Sequence, residues 1–144
     1  RIVEESSIRT LVDEGFIVIA AGGGGIPVVQ DAAGNLEGIE AVIDKDLTAE
    51  RLSAAIEAEV LLLLTDVEQV SLGFGTLRER PIRTTRAEEV RAWLREGEFP
   101  EGSMGTKMEA CARFVEEGGR YAIVPSLEKA GEGLEGKAGT RVLR

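Results

Sequence analysis

The sequence predicts an α/β fold in which helices pack on a mostly parallel β-sheet. Helical and strand-like patterns alternate along the chain, as in layered α/β proteins. Residues 60–64 are apolar at every position, which is typical of a parallel strand covered on both faces. The 144 residues are 43% hydrophobic and 30% charged, a balance typical of a folded domain with a sizeable core. We therefore expect a single domain spanning residues 1–144.

The first part of the chain predicts one helix and three strands. Residues 3–14 carry apolar side chains at helical spacing, and Gly15 is a natural helix stop. Residues 16–21 form a β-branched apolar run, which predicts a strand. Residues 28–43 are typical of two short strands around a turn at residues 33–35, the second at residues 39–43.

The middle of the chain predicts a helix, a buried strand and a second helix. Residues 46–58 have helical periodicity, with Leu47, Leu52, Ala55 and Ile56 facing inward. The apolar strand at residues 60–64 follows, and residues 70–84 are loop-like. Thr85 with Glu88 three residues later predicts a capping box that opens a helix ending at Gly97.

The last part of the chain predicts two more helices and two strands. Residues 98–102 form a Pro/Gly loop, and Ser103 is the expected cap of a helix that runs to Glu117. Cys111 shares an apolar face of that helix with both methionines, which predicts a core position. Trp93 is likewise expected to pack its own helix, the preceding one, against the rest of the protein. The remaining elements are a strand at residues 121–124, a short helix at 127–134 and a strand at 141–143.

Composition excludes several functional classes. The net charge is −9, which argues against a nucleic-acid surface, and no apolar run approaches the ~18 residues of a membrane helix. The chain has no His and one Cys, which excludes histidine catalysis, most zinc sites and an intrachain disulfide. It begins with Arg1 rather than Met, so we expect a fragment or a processed product. No signal peptide is recognisable, and cytoplasm is the expected compartment.

Two stretches that follow predicted strands are candidates for a ligand site. Gly22, Gly23, Gly24 and Gly25 follow residues 16–21, and Thr65 with Asp66 follows residues 60–64. Ligands of open α/β sheets bind at the carboxyl ends of strands. Four glycines leave backbone N–H groups accessible to an anion, although a tight turn or close packing would also require glycine. Asp66 is interpreted either as a turn cap or as a ligand contact.

Two lysines lie where helices are predicted to begin. Lys45 lies between Asp44 and Asp46, so it is either a solvated ion pair or a cation held for a phosphate. Lys107 falls in a first helical turn, where the helix dipole disfavours a cation. An anion bound at that helix end would remove the conflict, and the alternative is an ordinary surface lysine. From the residues alone, the chain is predicted to bind a phosphate or a nucleotide.

These stretches together resemble carbamate kinases of the amino acid kinase family. The matches keep their order and spacing over essentially the whole chain, and comprise residues 22–28 (GGGGIPV), 41–47 (AVIDKDL), 64–67 (LTDV), 102–107 (GSMGTK) and 134–140 (LEGKAGT). The resemblance implies a three-layer αβα sandwich. It also implies reversible phosphoryl transfer between ATP and carbamate, giving ADP and carbamoyl phosphate with Mg²⁺, in arginine metabolism.

The resemblance also implies roles for individual residues. Lys45 and Lys107 would neutralise charge on the transferring phosphoryl group, and Asp46 would orient them. The implied nucleotide-site residues are Thr65, Asp66, Val67, Met104 and Gly105, with Gly22, Gly23, Gly24 and Gly25 close to the phosphates.

The sequence departs from the family in two ways. Thr106 stands where the family usually has Pro, and the family chain is about twice as long. The missing N-terminal half would carry most of the carbamate site and could supply the interface of the homodimer that the family implies. This chain is then the nucleotide-binding lobe, inactive alone. The alternatives are a non-catalytic nucleotide-binding module, or a kinase acting on acetylglutamate, glutamate or UMP.

Overall fold

Helices and strands alternate along most of the chain in the computed structural model, which describes residues 1–99 and 103–144. The helices are α1 (Glu5–Asp13), α2 (Lys45–Ala55), α3 (Ala87–Glu96), α4 (Ser103–Glu116) and α5 (Ala130–Leu134), with a 3-10 turn at Leu127–Lys129. The strands are β1 (Val28–Gln30), β2 (Leu36–Gly38), β3 (Val60–Leu62), β4 (Ser71–Leu72), β5 (Arg80–Pro81), β6 (Thr84–Arg86), β7 (Tyr121–Val124) and β8 (Thr140–Leu143).

The main sheet has four strands in the order β3-β7-β8-β6. β3 runs parallel to β7, with Leu61 opposite Ala122, and β6 runs parallel to β8. β7 and β8 are antiparallel, with Ile123 opposite Arg141. The α/β fold with a mixed, mostly parallel sheet is therefore confirmed.

The core lies between α4 and this sheet. Met108, Cys111, Phe114 and Val115 of α4 are at most 1% exposed and belong to the same apolar cluster as the sheet residue Val142. Burying side chains of this size contributes roughly 1.5–3 kcal/mol each. Cys111 is thus a core residue, as predicted, and the partly buried Trp93 packs against the same cluster.

Residues 16–21 do not form the predicted strand. The side chains of Ile17 and Ile19 are 98% and 97% exposed, and no strand of the described residues pairs with this segment. A β-strand requires a neighbour that binds its backbone N–H and C=O groups. The β-branched composition favours a strand, but the segment has no pairing partner among residues 1–99 and 103–144, so the prediction is wrong for this chain.

The hairpin and the edge of the sheet also differ from the prediction. The second hairpin strand lies at Leu36–Gly38 and not at residues 39–43, because Asp31 accepts two backbone bonds, from Ala33 and Asn35, that tighten the turn. β3 has one neighbour among the described strands and lies at the sheet edge, although its sequence suggested a central strand.

The stretch predicted as a loop at residues 70–84 contains short strands, and the next helix begins one residue later than expected. β4 pairs antiparallel with β5, and β6 joins the main sheet. The capping box uses Glu89 rather than Glu88. The Glu89 carboxylate accepts from Arg86 N at 3.0 Å and from the Thr85 hydroxyl at 2.8 Å. Gly97 ends α3 in a left-handed conformation, as predicted.

Two further observations complete the fold. The predicted loop at residues 98–102 and the predicted cap by Ser103 rest on residues 100–102 and on the Ser103 side chain, which lie outside the described residues. Among the helices that the structure describes, none is long and apolar enough to cross a membrane.

Candidate functional site

A buried ion pair joins the two helices that carry the predicted site lysines. Lys107 Nζ on α4 lies 2.9 and 3.0 Å from the two carboxylate oxygens of Asp46 on α2. The two residues are 5% and 4% exposed. The interpretation of Lys107 as an ordinary surface lysine is therefore wrong. Charges are buried in proteins almost only when they are paired, so this pair has fixed geometry.

The N-terminus of α2 places this pair. Asp44 is extended and caps the helix, since its carboxylate accepts from the backbone N–H groups of Asp46 at 2.8 Å and Leu47 at 3.0 Å. The cap fixes the first turn, where Asp46 faces α4 while Lys45 is exposed. Lys45 is thus free to meet solvent or a ligand, and both interpretations of it stay open.

The glycine-rich loop folds back onto the start of α2. Gly22, Gly24 and Gly25 have positive φ angles, and Gly22 N and Gly24 N bind the carbonyls of Ala20 and Ala21 at 2.9 Å. A Cβ added to Gly24 would collide with the carbonyl oxygen of Ile43, so close packing requires glycine there. A Cβ at Gly22, Gly23 or Gly25 would meet no atom within 4 Å. Close packing therefore does not explain glycine at these three positions.

An open cleft of about 430 Å³ lies beside the loop. Its lining includes Ala21, Gly23, Gly25, Ile26, Val42 and Ile43. It is shallow, since the lining residues Ile26 and Val42 are largely exposed. The loop and the segment that leads into α2 therefore form two walls of one cleft.

The second candidate stretch for a ligand site, Thr65 and Asp66, lies at the end of β3. Thr65 N donates to Pro125 O at 3.1 Å, and Leu127 N donates to Thr65 O at 3.0 Å, so this edge is bonded to the end of β7. Asp66 is exposed and accepts a hydrogen bond from the Thr65 hydroxyl at 3.2 Å, while Val67 is half-buried. Asp66 thus presents a carboxylate at the carboxyl edge of two parallel strands.

Met104 and Gly105 lie on the first turns of α4. Met104 packs against the core cluster, and a Cβ at Gly105 would lie 3.8 Å from Phe99 and 4.0 Å from Leu94. Helix α2 thus connects the predicted residues, because Asp46 on α2 pairs with Lys107 and the glycine loop is hydrogen-bonded to the same helix. The hydrogen bonds of the described Thr65–Val67 segment lead to the end of β7 and not to that loop.

Two polar residues of α2 were missed by sequence reasoning. Thr48 and Glu50 are 8% and 1% exposed, whereas the apolar residues predicted to face inward are only half-buried. Glu50 Oε1 has no hydrogen-bond partner among the described residues, and burial raises the pKa of this carboxyl. The signal in the sequence was the spacing of Asp46 and Glu50, which places two carboxylates on one face of the helix.

Metal-binding side chains do not converge in the described residues. No group of three or more Cys, Asp or Glu residues in the ranges 1–99 and 103–144 is arranged to hold a metal ion.

Known proteins resemble the whole of this chain. The model of the amino acid kinase family matches residues 1–126. The carbamate kinase of Pyrococcus furiosus is 50% identical over 141 residues, which cover 98% of this chain and 45% of that protein. The carbamate kinase of Pyrococcus horikoshii is 49% identical over 140 residues, 97% of this chain and 44% of that protein.

A solved structure shows the same similarity. Carbamate kinase from Giardia lamblia bound to AMP-PNP superposes with a TM-score of 0.95 at 36% identity, covering 100% of this chain and 50% of that one. The chain thus spans about half the length of the relatives it matches.

Proposed function

Because the chain belongs to the amino acid kinase family, we propose that it is the nucleotide-binding lobe of a carbamate kinase. The reaction is ATP plus carbamate, formed from NH₃ and CO₂, giving ADP plus carbamoyl phosphate. The observation that carries the proposal is the buried Lys107–Asp46 pair, because Asp46 lies on α2, the helix to which the glycine loop is hydrogen-bonded. Phosphoryl transfer depends on positioned positive charge more than on covalent catalysis.

The proposed role of Lys107 follows from its hydrogen bonds. An ammonium group has three N–H donors, and the two oxygens of Asp46 engage two of them. The third donor is left for an oxygen of the transferring phosphoryl group. Asp46 then acts as the residue that orients Lys107, and the exposed Lys45 supplies a second, mobile positive charge.

The remaining site residues would hold the nucleotide. The open space beside Gly23 and Gly25 leaves room for phosphate oxygens to approach their backbone N–H groups, whereas the Gly22 N–H already donates to Ala20. Thr65, Asp66 and Val67 would line the nucleotide site at the strand edge, with Met104 and Gly105 nearby.

Mg²⁺ fits this arrangement as an ion carried mainly by the nucleotide. Mg²⁺ prefers oxygen ligands and commonly uses one or two carboxylates together with substrate phosphates and water. Both oxygens of Asp46 are engaged by Lys107, while Asp66 is exposed and its carboxylate is accessible. Of these two carboxylates, Asp66 is the one left free to approach such an ion. When bound, Mg²⁺ would neutralise negative charge on the phosphates of the nucleotide.

The proposal assigns the rest of the enzyme to a second lobe. The relatives are about twice as long as this chain. That lobe would carry most of the carbamate site, so the 144-residue chain is expected to bind nucleotide without turnover. A homodimer, a cytoplasmic location and a role in arginine breakdown belong to the same proposal.

A calorimetric titration of Mg-ADP into the purified chain tests nucleotide binding. We expect binding that Asp66→Ala weakens at least about tenfold, which corresponds to ~1.4 kcal/mol. Asp13→Ala, which removes an exposed carboxylate at the end of α1, is the matched control and should leave the affinity unchanged. Failure of a folded chain to bind Mg-ADP, or equal effects of both substitutions, would contradict the assignment.

A chimera tests the reaction itself. The N-terminal part of the Pyrococcus furiosus enzyme joined to this chain should form ATP from ADP and carbamoyl phosphate. Lys107→Ala in the chimera should remove most of that rate. A folded chimera that binds Mg-ADP without turnover would favour the second candidate, a non-catalytic nucleotide-binding module. Turnover with acetylglutamate, glutamate or UMP instead would indicate another kinase of the family.

A further inference from the structure

One side chain bonds the glycine-rich loop to α2. The Thr48 hydroxyl lies 2.8 Å from the carbonyl oxygen of Gly24 and 2.9 Å from that of Asp44. A hydroxyl has a single proton and donates to one of them at a time. The Asp44 carbonyl already accepts from the backbone N–H of Thr48, as in any helix. Among the described residues, the Gly24 carbonyl has no other donor, so the bond to Gly24 is the one that the Thr48 side chain adds.

The same glycine is fixed on its other side. Gly24 has a φ of +139°, and a Cβ there would overlap the carbonyl oxygen of Ile43. The loop therefore touches the chain leading into α2 at Ile43 and is hydrogen-bonded to the helix itself at Thr48. Thr48 is 8% exposed, so water competes little for this bond.

We propose that Thr48 is a positioning residue that fixes the glycine loop relative to the Asp46–Lys107 pair. Asp46 lies two residues before Thr48 on the same helix, so one rigid turn of α2 carries both the ion pair and the attachment of the loop. An anion that contacts the loop N–H groups then finds them already placed relative to α2, which reduces the ordering cost of binding. The proposal rests on the proposed function for the identity of the anion.

Hydrogen exchange measures the attachment directly. In Thr48→Val, which keeps the shape and removes the hydroxyl, the amides of Gly22 and Gly24 should exchange about tenfold faster. Thr48→Ser should restore the rates of the parent chain. The amides of β7 serve as an internal reference and should not change. Thr10→Val is the matched control, because the Thr10 hydroxyl on α1 bonds only the carbonyl of Ser6, one turn earlier.

Ligand binding separates positioning from general stability. Thr48→Val should weaken Mg-ADP about fivefold to tenfold and leave the affinity for adenosine, which lacks phosphates, unchanged. Thr48→Ser should bind both as the parent chain does. If Thr48→Val does not fold, as judged by Trp93 fluorescence, Thr48→Ala replaces it, since alanine favours the helix.

Each outcome bears on the proposal. Unchanged exchange at Gly22 and Gly24 in Thr48→Val overturns it, and so does equal weakening of ADP and adenosine. Lack of Mg-ADP binding by the folded parent chain counts against the proposed function. In that case the exchange comparison still decides whether Thr48 holds the loop.

Discussion

Lys107 and Asp46 form a bidentate ion pair, at 2.9 and 3.0 Å, across the contact between α4 and α2. Both side chains are nearly excluded from solvent. Such a pair contributes little net stability, because desolvation of the two charges offsets their attraction, whereas removal of one partner leaves an uncompensated buried charge. Its value in this fold is geometric, since it fixes an ammonium group beside the start of α2.

We predict that single substitutions in this pair are costly and that the double substitution is not. Lys107→Met and Asp46→Leu should each lower the free energy of unfolding by about 3–5 kcal/mol. In the double variant two apolar side chains are in contact, so its free energy of unfolding should fall by much less than the sum of the two single losses. Urea unfolding followed by Trp93 fluorescence provides the double-mutant cycle. Additive losses would show that the two residues do not interact in solution.

Glu50 should make the stability of the chain depend on pH. Burial raises the pKa of its carboxyl above the ordinary 4.5; Arg51 and Arg113 oppose the shift, and Glu117 and Glu109 add to it. Above pH 4.5 the unfolded chain releases a proton that the folded chain retains. The free energy of unfolding therefore falls as the pH rises toward the pKa of the folded state. The total loss is about 1.4 kcal/mol for each unit by which the folded-state pKa exceeds that of the unfolded chain.

The variant Glu50→Gln cannot ionise, so it should be more stable than the parent at pH 8 and more nearly equal to it at pH 4. Thermal unfolding at several pH values measures this difference. Glu128→Gln, which changes an exposed carboxylate, should show no such trend. A constant difference between Glu50→Gln and the parent across this pH range would contradict the prediction.

Cys111 should resist thiol reagents in the folded chain. Burial raises the pKa of its thiol to about 12; the Asp46 carboxylate adds to the shift and the Lys107 ammonium opposes it. The reactive thiolate is therefore scarce at pH 8, and the side chain is fully buried. We expect modification by a chromogenic disulfide reagent at least ~10³-fold slower than in urea, because it requires opening of the core. Rapid stoichiometric labelling of the native chain would argue against this core.

The exposed isoleucines of residues 16–21 should cause self-association. Replacing both Ile17 and Ile19 by Lys should give a monomer in sedimentation velocity at concentrations where the parent chain associates. The free energy of unfolding should change by no more than about 0.5 kcal/mol, as for surface positions. Ile123→Lys, which changes a buried isoleucine of β7, should prevent folding. A large loss of stability in the Ile17 and Ile19 variant would show that these side chains are covered.

Sequence reasoning succeeded where one physical signal dominated. The apolar period of α4 predicted the burial of Cys111. The unfavourable position of Lys107 against the helix dipole marked it as unusual, and its burial with Asp46 agrees, while its role in a site stays a prediction. Thr48 and Glu50 were missed because polar residue types predict exposure. The burial of Glu50 depends on the packing of α2 against α4, and that of Thr48 on its contact with the glycine loop. Residues 16–21 were predicted as a strand from composition, but strand formation depends on a partner that a local pattern does not contain.

The position of β8 sets an order of assembly. Among the described strands this one comes last in sequence, yet it lies between β7 and β6 and is the strand that joins β6 to the sheet. During synthesis, Thr84–Arg86 leaves the ribosome more than fifty residues before the strand that will pair with it. Its edge stays open for that interval, and closing so long a loop slows folding. The α2–α4 contact is complete at residue 116, so a nascent chain can form the ion pair before its sheet is whole.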